Sequence, residues 1–188
     1  MTASATLKSL RDKPFELLRE LDRRARAAAQ GQPEAAASGA EWVGIAFRLG
    51  GEAFLLAREE TREVLGFPAA VTRVPGAKSW IRGLSNVRGQ LMPVIDVRAF
   101  LGSGATSVTR ATRVLVANHR EIPAGLVVDE VMGFRRFYEG EFSSDLPPTL
   151  LRCERYLAGA FKRGAEVWPV FSVRGLLESQ QFLQAAAS

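Results

Sequence analysis

Apolar positions recur along this chain with two different periods. Over residues 7–29 the spacing is helical: Phe15, Leu18, Leu21 and Ala25 follow at three- and four-residue intervals, opposite Arg19, Arg23 and Arg26. That pattern lays an apolar stripe on one face of a helix. Asp12 offers an N-cap, and Pro14 falls where the first turn tolerates it. Gly31-Gln32-Pro33 and the Ala/Ser/Gly run to Ala40 have no period and read as a linker. This N-terminal α-helical extension either packs on its own domain or docks on a partner.

From Trp42 the pattern becomes that of strands. Gly44–Leu49 and Glu52–Leu56 flank Gly50-Gly51, a hairpin signal. Arg58–Leu65 reads as a short helix closed by Gly66, with a left-handed C-cap. Val71–Val74 is extended and stops at Pro75-Gly76. A second hairpin follows, Ile81–Asn86 and Leu91–Val97 around Arg88-Gly89-Gln90, ending in the short helix Arg98–Leu101 and Gly102. After the polar spacer Ser103–Ala111, Arg113–Ala117 and Pro123–Val128 flank the turn Asn118–Glu121.

The order then repeats. Glu63-Val64-Leu65-Gly66-Phe67 returns as Glu130-Val131-Met132-Gly133-Phe134, a shift of 67. Gly83, Pro93, Val94, Val97, Arg98 and Leu101 return as Gly159, Pro169, Val170, Val173, Arg174 and Leu177, a shift of 76. Two copies are too few for a solenoid but suit two small, nearly closed five-stranded β-barrels, which limit exposed edges. The predicted class is mainly β, divided into a helix and linker (1–40), a first barrel (41–102), a second barrel (111–178, the whole domain spanning 41–178) and a tail (179–188). Pro93 and Pro169, inside apolar runs, predict a bend or an edge position.

Composition narrows the function. With 47% apolar and 24% charged residues the chain can bury a core. No apolar run is long enough to span a bilayer, and Leu7 and Leu10 stand among Lys8, Arg11 and Lys13 rather than in a signal sequence. A single cysteine, Cys153, suits a reducing compartment, so a cytoplasmic protein without direct membrane insertion is expected. The charge of +5 raises nucleic acid as a ligand, but the basic residues are scattered and not interleaved with aromatics. A basic small-barrel nucleic-acid-binding protein remains the alternative reading; it predicts binding that weakens steeply with salt.

Catalytic chemistry finds no support. The one histidine, His119, falls in a predicted turn, and with Cys153 it gives no metal-ligand spacing. Cys153 beside Arg152 lacks a base, Gly50-Gly51 and Gly102-Ser103-Gly104 lack the phosphate-loop ending, and adjacent acids such as Glu59-Glu60 would face opposite ways in a strand. No enzyme, cofactor or metal is expected.

The segment Trp80–Gly102, WIRGLSNVRGQLMPVIDVRAFLG, strongly resembles the signature of the CheW family, and Glu52–Phe67 and Ala124–Phe134 resemble its other marks, over roughly residues 42–178 in all. PFELLRELDRRAR near the N-terminus and Leu146-Pro147-Pro148 are most similar to family members of type IV pilus systems. The resemblance implies a non-enzymatic adaptor of two SH3-like barrels. It would couple a methyl-accepting chemoreceptor (PilJ-like in a pilus system) to a CheA-type histidine kinase (ChpA-like), at membrane receptor arrays, and so control twitching motility or chemotaxis.

Residue by residue, the family pattern implies a pair between Glu63, on the first short helix, and Arg88 of the Asn-x-Arg-Gly turn. The receptor groove carries over to Ile45, Arg58, Thr61, Val64 and Val131, of which Arg58 and Thr61 depart from the family's apolar character. The kinase interface carries over to Val71, Val74 and Gly83 on edge strands of the first barrel. Asn86 and Gly89 are expected to serve the turn itself.

Overall fold

The computed structural model describes residues 39–185, and the predicted N-terminal helix lies outside them. Eleven strands form two sheets among the described residues. β1 (Glu41–Leu49) and β2 (Glu52–Ala57) make the hairpin around Gly50-Gly51, with Leu49 opposite Glu52. β3 (Thr61–Gly66) follows, then the hairpin β4 (Ile81–Val87) and β5 (Gln90–Asp96), and α1 (Val97–Phe100). The second half runs β6 (Arg113–Ala117), β7 (Gly125–Val128), β8 (Glu130–Tyr138), β9 (Phe142–Ser143), β10 (Leu157–Arg163) and β11 (Glu166–Phe171). Two short helices close it, α2 (Val173–Leu177) and α3 (Gln180–Leu183).

The sheets do not divide the chain at residues 102 and 111. One sheet runs β8-β1-β2-β11-β10-β9 and the other β3-β6-β7-β5-β4. Each half of the sequence therefore gives its first hairpin to the barrel completed by the other half. The exchange is sealed by parallel pairing, Val170 with Leu55 in one sheet and Val94–Asp96 with Gly125–Val127 in the other. The expected barrels over 41–102 and 111–178 are replaced by two interleaved ones.

Packing explains the exchange. β1, β2, β6 and β7 are buried on both faces, so their side chains fill two different cores in alternation. Ile45, Phe47, Leu49, Phe54, Leu56, Leu115, Ala117, Leu126 and Val128 face a shared core between the sheets. Ala46 and Leu55 point into the six-stranded barrel with Phe137, Phe161 and Val170. Val114, Val116 and Val127 point into the five-stranded one with Met92 and Val94. Strands buried on both faces lose the polar alternation of a one-sided strand, so a hairpin's apolar run does not say which barrel it completes.

Two local expectations change. Arg58–Leu65 is not a helix: only Arg58–Glu60 makes a 3-10 turn, and Thr61–Gly66 is β3, paired antiparallel with β6. Thr61, Glu63 and Leu65 turn inward while Arg62, Val64 and Gly66 are exposed, a period of two that suits a strand. Pro93 and Pro169 lie on internal strands, opposite Leu84 and Ala160. Both stand one residue before the parallel pairing begins at Val94 and Val170, so the missing N–H breaks no parallel ladder.

The repeat holds at the level of backbone geometry. Gly83 and Gly159 have φ of 142° and 143°, each at a register shift in its hairpin. Asp96 and Ser172 cap α1 and α2, accepting from Ala99 N and Gly175 N, and their own N–H groups donate to Trp80 O and Tyr156 O at 2.8 and 2.7 Å.

Candidate functional site

The β4–β5 turn is built from its sequence. Arg88 and Gly89 take left-handed φ of 51° and 82°, and Asn86 Oδ1 accepts from Gly89 N at 2.8 Å, closing the loop as an Asx turn does. This sets the Arg88 guanidinium, with a side chain 77% exposed, 2.7 Å from Glu63 on β3, whose side chain is 21% exposed. Edge strand β3 is thereby latched to the β4–β5 turn, across the mouth of the five-stranded barrel. Glu63 reaches it from a strand rather than from the expected helix. A cleft of about 700 Å³ opens at this mouth, lined by β3, the β4–β5 hairpin and the β6–β7 turn.

The expected kinase-interface residues come together at the opposite edge of the same sheet. Thr72 bridges Leu84 through reciprocal backbone hydrogen bonds of 2.8 Å, so residues 71–74 extend the edge beyond β4. Val74 is 39% exposed, whereas Val71 packs partly against the barrel core. Gly83 is buried beneath this segment, and a Cβ there would collide with the Thr72 carbonyl. Gly83 thus permits close approach of two strands rather than offering a surface of its own.

The expected receptor-groove residues separate by burial. Val64 is exposed on β3, Arg58 is exposed on the 3-10 turn, and Thr61 and Val131 are half-buried. Ile45 is only 5% exposed and belongs to the shared core, so it offers no surface of its own.

Sequence reasoning missed the acids that join segments. Asp96 is fully buried, yet its carboxylate accepts from Arg82 Nε at 2.9 Å, Thr106 N at 2.8 Å, Thr106 Oγ1 at 2.9 Å and Ala99 N at 3.2 Å. The Arg82 guanidinium also donates to the Thr106 carbonyl, pinning the spacer between the halves. Glu60 Oε2 accepts from Val173 N at 2.7 Å, tying the segment before β3 to the start of α2, and burial pushes its carboxyl above the ordinary value. Asp129 Oδ2 accepts from Gly50 N at 2.7 Å, with Arg98 Nη1 3.9 Å from its other oxygen. The Asp96 signal is present in the sequence, since an apolar run broken by a single acid calls for a buried partner; the Glu60 and Asp129 contacts depend on the strand exchange.

His119 and Cys153 are structural. Imidazole Nδ1 accepts from Glu121 N and Ile122 N at 3.3 and 3.1 Å, which leaves Nε2 as the N–H that faces Glu178 at 3.3 Å. Cys153 is buried with Thr149 beside it, and burial pushes its thiol up, away from the reactive thiolate. Among the described residues no three His, Cys, Asp or Glu side chains converge as a metal would require, and no helix is long and apolar enough to cross a membrane.

A family model described as the CheW-like domain matches residues 43–181. The protein PilI of Pseudomonas aeruginosa strain PAO1 is 40% identical over 173 residues, covering 92% of this chain and 96% of PilI. The chemotaxis protein CheW of Bacillus subtilis strain 168 is 31% identical over 100 residues, 53% of this chain and 64% of that protein. The crystal structure of the scaffolding protein TtCheW from Thermoanaerobacter tengcongensis shares the fold, with a TM-score of 0.65 at 23% identity over 76% of this chain and 96% of its own. Two interleaved barrels, a latched Asn-Val-Arg-Gly turn and these matches lead to one conclusion: the chain belongs to the CheW-like family, non-enzymatic adaptors that couple chemoreceptors to CheA-type kinases.

Proposed function

We propose that this chain is the coupling adaptor of a type IV pilus chemosensory system, joining a PilJ-like receptor to a ChpA-like kinase in the cytoplasm at membrane receptor arrays. The observation that carries the pilus assignment is the extent of likeness to PilI. At 173 residues that alignment is longer than the family-matched segment 43–181, so it takes in sequence that a shared CheW-like domain alone does not explain.

The proposed receptor groove uses Val64, Arg58, Thr61 and Val131, with Ile45 in the shared core. The proposed kinase contact uses the edge at Val71–Val74 over Gly83. An exposed edge beside a partly exposed valine has both features of strand-to-strand docking, free backbone groups and an apolar anchor. Glu63 and Arg88 hold the barrel mouth in shape and act as positioning residues.

Surface plasmon resonance with a ChpA-like kinase regulatory domain and a soluble PilJ-like signalling fragment from the same genome tests this. Val64→Glu should weaken receptor binding roughly tenfold or more while sparing the kinase, and Val74→Glu should do the reverse. If the unaltered protein binds neither partner at micromolar concentration, the pilus assignment fails; if it binds flagellar-type CheA and receptor preferentially, the system has been misassigned.

A further inference from the structure

The cleft at the mouth of the five-stranded barrel holds more positive charge than its latch neutralises. Arg62 on β3 and Arg120 in the β6–β7 turn line it together with Arg88, and its one carboxylate, Glu63, already faces Arg88 at 2.7 Å. Arg62 and Arg120 are exposed, and among the described residues neither side chain makes an ion pair or hydrogen bond. Met92 and Val116 from the barrel core give the lining an apolar floor, and Leu91, which is 64% exposed, adds an open apolar side chain to it.

We infer that this cleft receives an acidic peptide segment of a partner protein, with one apolar side chain set on Leu91 and carboxylates gripped by Arg62 and Arg120. A guanidinium presents a planar fork that meets a carboxylate through two parallel hydrogen bonds, and an arginine without a partner gives up no existing pair to do so. An apolar floor with a few convergent polar groups is the usual composition of a recognition cleft. The cleft is poorly suited to a nucleic-acid strand, since no Phe, Tyr or Trp lines it for base stacking. The inference goes beyond the adaptor function, which names partners but assigns nothing to Arg62, Arg120 or Leu91, and it stands whichever motility system the chain serves.

The test is an NMR titration of the full chain, isotopically labelled, with a short acetylated peptide of sequence Glu-Glu-Leu-Glu, its Gln-Gln-Leu-Gln counterpart, and single-stranded oligothymidylate. The acidic peptide should give saturable shifts at the Arg62 and Arg120 Nε–H signals and at the Leu91 methyls, with at least tenfold tighter binding than the Gln peptide. Arg62→Glu and Arg120→Glu should each weaken it roughly tenfold or more, since a hydrogen bond to a charged group is lost and a repulsion gained. Both sites are on the surface, so the remaining spectrum and the melting temperature should stay as in the parent, separating lost binding from lost fold. Equal affinity for the two peptides, no shifts up to millimolar peptide, or tighter binding of oligothymidylate would each overturn the inference. So would sedimentation showing that a second copy of the chain occupies the cleft.

Discussion

Gly83 and Gly159 carry the same constraint in the two barrels, and it is severe. At φ near 140° an L side chain is strained, and a Cβ on Gly83 would also collide with the Thr72 carbonyl, while one on Gly159 would stand 2.5 Å from the Ser143 carbonyl. Strain and collision add, so Gly83→Ala should cost about 2–4 kcal/mol. Gly133→Ala, also at positive φ (98°) but with open space around it, should cost only about 1 kcal/mol. Urea unfolding of the two variants checks this, and equal losses would show that backbone conformation alone decides. The Glu63–Arg88 pair behaves oppositely. With Arg88 mostly exposed, Arg88→Ala should change stability by less than about 1 kcal/mol, while partner binding in the resonance assay falls. A large drop in melting temperature would make the pair part of the folding core instead of a positioning device. Neither Glu63 nor Arg88 announces a partner in its local sequence; the pairing was legible only through the family resemblance, whereas the turn chemistry of Asn86 and Gly89 was plain from residue type.

Hairpins were the elements most legible in the sequence, because Gly50-Gly51 and Arg88-Gly89 mark turns whose flanking apolar runs have nowhere else to pair. β3 is disguised in the sequence because Arg58-Glu59-Glu60 and Leu65 suit a helix, and only the inward alternation of Thr61, Glu63 and Leu65 reveals the strand. Membership in a barrel was not legible at all. β1 and β2 are apolar on both faces, so nothing local distinguishes pairing with β11 from pairing within their own half. The spacer after α1, unpatterned in sequence, is anchored by Asp96 through Thr106. Asp96→Ala would leave the partly buried Arg82 without its carboxylate and the Thr106 amide without an acceptor. Removing one member of a buried pair costs about 3–5 kcal/mol. Hydrogen exchange should show the loss first at Thr106 and Ala99, whose amides Asp96 now holds; unchanged protection there would mean the spacer is fixed by other contacts.

At the scale of the whole molecule, the exchange of hairpins makes each barrel depend on the other, and the polar ties across the shared core become part of what holds the pair in register. Glu60 is the clearest case. It sits just before β3, yet its carboxylate accepts from Val173 N at the start of α2 and lies 3.4 Å from Ser172 Oγ, with Arg174 adding attraction. Burial outweighs these contacts and raises its pKa above the ordinary glutamate value. The unfolded chain therefore releases this proton more readily than the folded one. The contribution of Glu60 to stability is fully present below the unfolded pKa and is lost as pH rises through the higher folded value. Glu141 has the opposite sign: the Arg163 guanidinium, 2.6 Å away, holds it below the ordinary range, so its contribution is present above the unfolded pKa and fades only in stronger acid. Glu60→Gln separates the two, because an amide oxygen still accepts from Val173 N while the desolvated charge is gone. Denaturant titrations from pH 4 to pH 7 should find Glu60→Gln gaining on the parent as pH rises above the ordinary glutamate range, with the curves converging in acid. A parent that gains on the variant as pH rises would mean that the charge attracts α2 more strongly than burial penalises it, and that the junction between the barrels is held by an ion pair rather than by a hydrogen bond.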